Sequence, residues 1–172
     1  NHSLANVSAS GNCAVGGIAG QNNGNLILTN DNSGVSRSVS GTNASGVGGI
    51  VGVNEAGGTL TVTGTSNEID AVGSGVSVIG LQRVGGIVGV NRGTIGHTGA
   101  STSEKYLASR AKLVRASRGY AGGITAYNGT TGELAECVSG NWFLVNKSDA
   151  IGVGTGGIIG MNESEKNLSK LV

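Results

Sequence analysis

The apolar residues of this chain recur in a short phrase of alternating small, aliphatic and polar positions. The phrase begins Gly-Gly-Ile, continues through a variable residue, a Gly or Ala and a second variable residue, and ends at Asn. Its five copies occupy 16–22, 48–54, 85–91, 122–128 and 156–162. Their Gly-Gly pairs begin 32, 37, 37 and 34 residues apart. Repetition at a period of this size indicates a solenoid, in which each unit stacks on the next.

The phrase itself predicts a strand, because side chains on a strand point to opposite faces in turn. One face is nearly identical in every copy, so we expect it to point inward and the variable face to point outward. The inward face contains an isoleucine column, Ile18, Ile50, Ile87, Ile124 and Ile158, and an asparagine column, Asn22, Asn54, Asn91, Asn128 and Asn162. We call these sets the isoleucine column and the asparagine column.

Each repeated position predicts a physical role. Identical isoleucines should fill the interior, and the Gly or Ala two residues later should leave space for a side chain from the opposite wall. Asparagine suits a corner, where its amide can both donate and accept hydrogen bonds along a stack. The Gly-Gly pair should form a second corner or bulge, because glycine adopts positive φ without a Cβ penalty.

Further strand-like stretches, rich in Leu, Ile, Val and Thr, lie between the phrases. The sequence therefore predicts an all-β parallel β-helix, built from about five Gly-rich repeats of about 35 residues and forming one domain over 1–172. We expect three short strands and one coil per repeat, with two smaller coils as the alternative. Because the chain begins and ends inside a repeat, we expect it to be a fragment of a longer protein.

Composition narrows the class further. Glycine accounts for 34 of 172 residues, proline is absent, and aromatic residues are only 3%. Such a chain needs a core of small and β-branched side chains, and its lack of proline and of a three-residue glycine period excludes collagen. A net charge of +1 gives no field for nucleic acid, and no apolar run reaches the ~20 residues of a membrane span.

The two best copies of the phrase resemble a known family. Residues 47–54 and 84–91 both read V-G-G-I-V-G-V-N, and Gly93-Thr94-Ile95 continues the second copy. This pattern resembles the GLUG repeat of bacterial cell-surface and adhesin-like proteins, over nearly the whole chain. The departures are Ala126 in the fourth copy, the loss of the glycine turn after the fifth copy, and units longer than is usual for the family.

The resemblance implies a secreted or surface-exposed bacterial protein with a parallel β-helix fold and no catalytic residue, and we expect no cofactor. We therefore expect a structural repeat module that acts as a spacer or adhesin stalk. A glycan-binding module on the solenoid surface is the alternative, and a polysaccharide-cleaving β-helix enzyme is less favoured. The expected partners are host or cell-wall glycans, another surface protein and flanking repeats of the same parent chain, without nucleic acid and without membrane insertion.

One basic run is the candidate binding surface. The run also contains Lys105, and its candidate binding residues are Arg110, Lys112, Arg115 and Arg118, with Trp142 as an aromatic neighbour. Arg110 and Lys112 should share a strand face, and a basic patch of this kind suits an anionic glycan. The alternative is an ordinary solvated face, with the aromatic residue covering an end of the solenoid.

The remaining reactive residues predict neither a catalytic site nor a metal site. Glu55 and Glu163 have the same offset from their Gly-Gly pairs but lie three units apart, roughly 14 Å at the spacing of strands. Paired carboxylates in glycosidases are ~5–9.5 Å apart. The histidines have no partner at ligand spacing, and Cys13 and Cys137 should be buried small hydrophobes rather than a disulfide.

Overall fold

The protein is seen in a computed structural model that describes residues 5–29, 35–63, 68–96, 106–140, 143–146, 153–166 and 168–172. Every regular element in these ranges is a β-strand. The described residues contain no helix that is long and apolar enough to cross a bilayer. In chain order the strands are β1 (Val7–Ala9), β2 (Ala14–Gly16), β3 (Ala19–Asn22), β4 (Asn25–Thr29), β5 (Val39–Gly41), β6 (Gly46–Gly48), β7 (Val51–Asn54), β8 (Thr59–Thr63), β9 (Glu68–Val72), β10 (Ser77–Gly80), β11 (Arg83–Gly85), β12 (Val88–Asn91), β13 (Thr94–Ile95), β14 (Tyr106–Ser109), β15 (Leu113–Ala116), β16 (Tyr120–Gly122), β17 (Thr125–Asn128), β18 (Glu133–Ser139), β19 (Phe143–Asn146), β20 (Gly154–Gly156), β21 (Ile159–Asn162) and β22 (Leu168–Leu171).

The strands form four parallel sheets, which we call walls 1 to 4. Wall 1 has the order β1-β5-β10-β15-β19, wall 2 is β2-β6-β11-β16-β20, and wall 3 is β3-β7-β12-β17-β21. Wall 4 contains β4, β8, β13 and β18, together with β9, β14 and β22. Neighbours within a wall come from successive repeats, as where Val47 pairs with Val84. The predicted parallel β-helix is therefore confirmed, with one coil per repeat. The expectation of three strands per coil is wrong, because the chain turns through four walls.

The repeated phrase is not one strand. In the second copy, β6 ends at Gly48, the chain bends through Gly49 and Ile50, and β7 begins at Val51. The same bend separates wall 2 from wall 3 in every copy. The predicted corner at the Gly-Gly pair is present, but none of these glycines has a positive φ. Among the described glycines, positive φ occurs at Gly11, Gly96 and Gly119.

Close approach, and not φ, explains the first glycine of each pair. A Cβ placed on Gly85 would lie 1.8 Å from the carbonyl oxygen of Val88, and one on Gly48 would lie 1.9 Å from that of Val51. The other copies give 1.8–2.1 Å at the same position. No side chain fits at such a distance, so the corner requires glycine in all five copies.

The Gly or Ala column inside wall 3 also makes room for backbone. A Cβ on Gly52 would lie 2.5 Å from the amide nitrogen of Val15, and one on Gly89 would lie 2.5 Å from that of Val47. The expectation that this column faces a side chain of the opposite wall is therefore wrong. At this column walls 2 and 3 meet backbone against backbone.

The core is a stack of aliphatic columns from all four walls. Its largest wholly buried members are Ile50, Leu60, Ile69, Ile87, Ile95, Leu107, Ile124 and Leu134. Val51 and Val88 belong to the same cluster and are also wholly buried, although the variable face was expected to point outward. The bend before each of them interrupts the strand, so the alternation does not continue from the isoleucine across the corner.

The isoleucine column is interior only in the middle of the stack. Ile50, Ile87 and Ile124 are wholly buried, whereas Ile18 is 42% exposed and Ile158 is half-buried. The prediction that Ile18 is interior is therefore wrong, because Ile18 belongs to the first coil of the described stack. A terminal coil is covered on one side only.

The asparagine column forms a continuous hydrogen-bonded ladder at the corner between walls 3 and 4. Each side-chain amide donates to the Oδ1 of the next asparagine, from Asn22 to Asn162, at 2.8–2.9 Å. The same Nδ2 atoms also reach carbonyl oxygens of the following turn, as from Asn54 to Gly58 at 3.2 Å. Asn54, Asn91 and Asn128 are wholly buried, Asn22 is half-buried and Asn162 is exposed.

We expect Asn91→Ala to lower the free energy of unfolding by about 2–4 kcal/mol, because it leaves buried polar groups of Asn54 and Asn128 without their ladder partner. The matched change Asn162→Ala removes the exposed end of the ladder, where Asn128 keeps its hydrogen bond to the carbonyl oxygen of Gly132, and should cost less than about 1 kcal/mol. Urea unfolding of the two variants measures the difference. Equal losses at both positions would show that burial of the ladder contributes nothing.

Candidate functional site

The basic run does not form a column along the stack. Arg110 and Lys112 lie in the loop between β14 and β15, so they share no strand face, contrary to expectation. Arg115 lies on β15 in wall 1, and Arg118 lies just before β16 of wall 2. The four residues therefore follow the perimeter of one coil, from the end of wall 4, across wall 1, to the start of wall 2.

Charge in the basic run is partly neutralised. The Nε of Arg110 lies 2.8 Å from Oδ1 of Asp70, and both side chains are partly exposed. Lys112 and Arg118 are exposed, whereas Arg115 is half-buried. Lys105 and Trp142 lie outside the described residues. A glycan patch on the basic run stays a prediction, which loss of glycan-array binding in Lys112→Glu would support.

The structure reveals a second candidate surface, a cleft on the outer side of walls 2 and 3. Its volume is about 330 Å³. It is lined by Asn12, Cys13, Ala14, Gln21, Ser45, Val53, Glu55, Arg83, Val90 and Arg92. We call it the wall 2–3 cleft. Its lining comes from three successive coils, so only the stacked fold assembles it.

The cleft exists because one column of wall 2 changes size along the stack. The column contains Ala14 and Gly46 in the first two coils, and Arg83 and Tyr120 in the next two. The small residues leave a depression, and the arginine bounds it. Val53 and Val90 of wall 3 form the base of the depression and are only 8% and 2% exposed, so the accessible lining is mostly polar.

Glu55 is held in place by two neighbours on adjacent coils. The Nε2 of Gln21 donates to its Oε1 at 2.6 Å, and the Nη1 of Arg92 donates to its Oε2 at 3.0 Å. The hydrogen bond from Gln21 lowers the pKa of Glu55, burial opposes this by raising it, and Arg92 lowers it further. Glu55 is therefore ionised at neutral pH, and its charge is matched by Arg92.

Arg83 has a different environment. Its guanidinium carbon lies 5.2 Å from the centre of the Tyr127 ring, a cation–π arrangement. Its Nη1 lies 3.5 Å from the carbonyl oxygen of Ser45, and its buried Nε has no hydrogen-bond partner. Within the described ranges no carboxylate forms an ion pair with Arg83.

Tyr127 links Arg83 to a second carboxylate further along the stack. Its hydroxyl donates to Oε2 of Glu163, and this hydrogen bond, followed by burial and the charge of Glu163, raises the pKa of Tyr127. Glu163 is thus occupied by the tyrosine rather than by Arg83. The ring remains fixed beneath the guanidinium, with Tyr120 at 6.5 Å between ring centres.

The sequence did contain a signal for part of this surface. Glu55, Arg92 and Glu163 each directly follow an asparagine of the ladder, so they share one repeat offset. A cation can share the repeat offset of these carboxylates, as Arg92 does where it pairs with Glu55. Glu136 and Lys170 also share an offset, and their side chains form an ion pair of 2.9 Å at wall 4. Both residues adopt a left-handed φ, 53° and 49°, and their residue types, Glu and Lys, gave no indication of this backbone conformation.

Among the described residues, no group of three or more His, Cys, Asp and Glu side chains is arranged to hold a metal ion. The cysteines are both free. Cys137 is wholly buried, as expected, but Cys13 is only half-buried because it lines the wall 2–3 cleft. Comparisons with known protein families, with curated proteins and with solved structures find no match to this chain.

We expect a thiol reagent at pH 8 to label Cys13 in the folded protein and to leave Cys137 unmodified. Burial, followed by the charge of Glu136, raises the pKa of Cys137 to about 12, so almost no reactive thiolate forms there. Both cysteines should react in concentrated urea. Mass spectrometry of the digested protein measures each site. Native labelling of Cys137 at the rate of Cys13 would contradict its sealed position.

Proposed function

We propose that this chain is a non-catalytic structural module, a spacer or adhesin stalk of a bacterial surface or secreted protein. The observation that carries the proposal is the uninterrupted asparagine ladder, which joins all five repeats by side-chain hydrogen bonds. A ladder of this kind couples each coil to the next along the axis. Coupling along one axis is what a stalk under load requires.

The repeated positions support the same role. The positions that recur in every copy are the corner glycine, the isoleucine and the ladder asparagine, and each serves stacking. In a solenoid, stability is a sum of unit and nearest-neighbour terms, and each coil adds a rise of ~4.8 Å. Length is therefore adjustable by repeat number without change to the rest of the fold, which suits a spacer.

Single-molecule pulling on the full chain, with handles at its two ends, tests the proposal. We expect resolved rupture events in which each freed coil adds roughly 110–130 Å of contour length, the extended length of one repeat. Asn91→Ala should lower the force of the ruptures that involve its coil, whereas Asn22→Ala should affect only an end. Smooth extension without resisting events would overturn a load-bearing role.

A place outside the cell rests on the resemblance of 47–54 and 84–91 to repeats of bacterial surface proteins. Intact cells of the source species, treated with a protease that cannot enter, should lose this segment from the whole-cell protein pattern, or it should appear in the culture medium. Full protection in intact cells, with cleavage after lysis, would contradict the assignment.

A further inference from the structure

We propose that the wall 2–3 cleft binds a pyranose ring that carries a carboxylate, with Arg83 receiving the carboxylate. This is a binding activity of the stalk's surface and does not depend on the load-bearing role. It concerns residues separate from the basic run at 110–118.

Size and lining favour a single sugar ring. The cleft volume of about 330 Å³ is at the lower end of the range of roughly 300–1,000 Å³ for small-molecule sites. Val53 and Val90 line the cleft but are only 8% and 2% exposed, so its accessible lining is mostly polar. Asn12, Gln21 and Ser45 surround them with amide and hydroxyl groups, which can exchange hydrogen bonds with sugar hydroxyls.

Charge favours a ligand with one negative group. Arg92 and Glu55 neutralise each other, so Arg83 leaves the cleft with one uncompensated positive charge. A guanidinium binds a carboxylate through two parallel hydrogen bonds. The ring of Tyr127, 5.2 Å from the guanidinium carbon, restrains the arginine before a ligand arrives, which reduces the entropy lost on binding.

Glu55 determines the orientation of the ligand. Its carboxylate can accept hydrogen bonds from sugar hydroxyls, whereas an ionised carboxylate of the ligand has no proton to donate to it, so that group should face Arg83 and the sugar hydroxyls should face Glu55 and Gln21. A polyol with one carboxylate satisfies every group in the cleft, whereas a bare anion uses Arg83 alone.

The test measures binding to the full chain by calorimetry and by protein-observed NMR at low salt. The probes are methyl glucuronoside, the methyl glycoside of N-acetylneuraminic acid, methyl glucoside, acetate and inorganic phosphate. We expect at least one acidic sugar to bind at least about tenfold more tightly than methyl glucoside and acetate, because only it engages both the arginine and the hydroxyl-binding groups. Comparison of the two acidic sugars identifies whether the carboxylate comes from a uronic or a sialic acid.

Arg83→Gln should weaken acidic-sugar binding about tenfold or more. The control is Arg37→Gln, which removes the charge of an exposed arginine that lies neither in the cleft nor in the basic run, and should leave affinity within about twofold. If Arg83→Gln fails to fold, methyl glucuronamide on the unaltered protein replaces it, and its affinity should fall to that of methyl glucoside. Absence of binding by both acidic sugars, equal binding of acetate, or an equal loss in both variants would overturn the proposal.

Discussion

Gly85→Ala is expected to destabilise the solenoid by at least ~3 kcal/mol, the upper end of what overpacking costs in cores. The added Cβ would lie 1.8 Å from the carbonyl oxygen and 2.7 Å from the carbonyl carbon of Val88, and 2.9 Å from the carbonyl oxygen of Ile124. All three atoms are backbone, so no side-chain rotation relieves the contact. Two walls and the next coil must move together, in the middle of the stack.

Gly75→Ala is the matched control, since it adds the same methyl group to an exposed turn. A Cβ there meets nothing within 4 Å, and the backbone does not have positive φ. The change should stabilise the protein slightly, by about 0.4–1 kcal/mol, because alanine restricts the unfolded chain. Chemical denaturation measures both variants. Similar changes in the free energy of unfolding, with the same sign, would show that steric crowding is not the reason for glycine at the corner.

Ile87→Asp is expected to unfold the protein at neutral pH. Ile87 is wholly buried among the aliphatic columns and stacks between Ile50 and Ile124. Loss of the side chain costs ~2–5 kcal/mol, and an unpaired carboxylate at an apolar site adds a desolvation cost of several kcal/mol. The sum approaches the total stability of a typical domain, ~5–15 kcal/mol. Far-ultraviolet circular dichroism should show loss of the β signal.

Ile18→Asp makes the same chemical change at the same repeat position, but on the first coil. Ile18 is 42% exposed, so the carboxylate reaches water and the change should cost no more than about 1 kcal/mol. A folded Ile87→Asp protein, with a melting temperature near that of Ile18→Asp, would contradict the interior position of the column in the central coils.

The sequence by itself determined the parts of this protein that depend on repetition. Equal offsets of the Gly-Gly pair, the isoleucine and the asparagine in five copies are enough to predict a parallel solenoid with one coil per repeat. A stacked coil places equal offsets above one another, because neighbouring strands are parallel and in register. The burial of each isoleucine then depends on the number of neighbouring coils: Ile87 has a coil on both sides and is buried, whereas Ile18 has a coil on one side and is partly exposed.

The local path of the coil was decided by tertiary contacts. A glycine at position 85 could be required by a positive φ or by a lack of space for a Cβ, and the sequence is the same in both cases. The packing of wall 2 on wall 3 shows that the lack of space is the reason. The bend after it interrupts the strand alternation, so Val88 is buried although an uninterrupted strand would expose it.

The wall 2–3 cleft was likewise beyond the sequence. It depends on small residues at Ala14 and Gly46 where a later coil has Arg83, and these positions lie outside the repeated phrase that the sequence comparison aligned. Repetition predicts which residues stack, because it fixes distances along the axis. It does not predict which side chains from different walls meet, because that depends on the angle of each corner, and the corners are set by backbone contacts between walls.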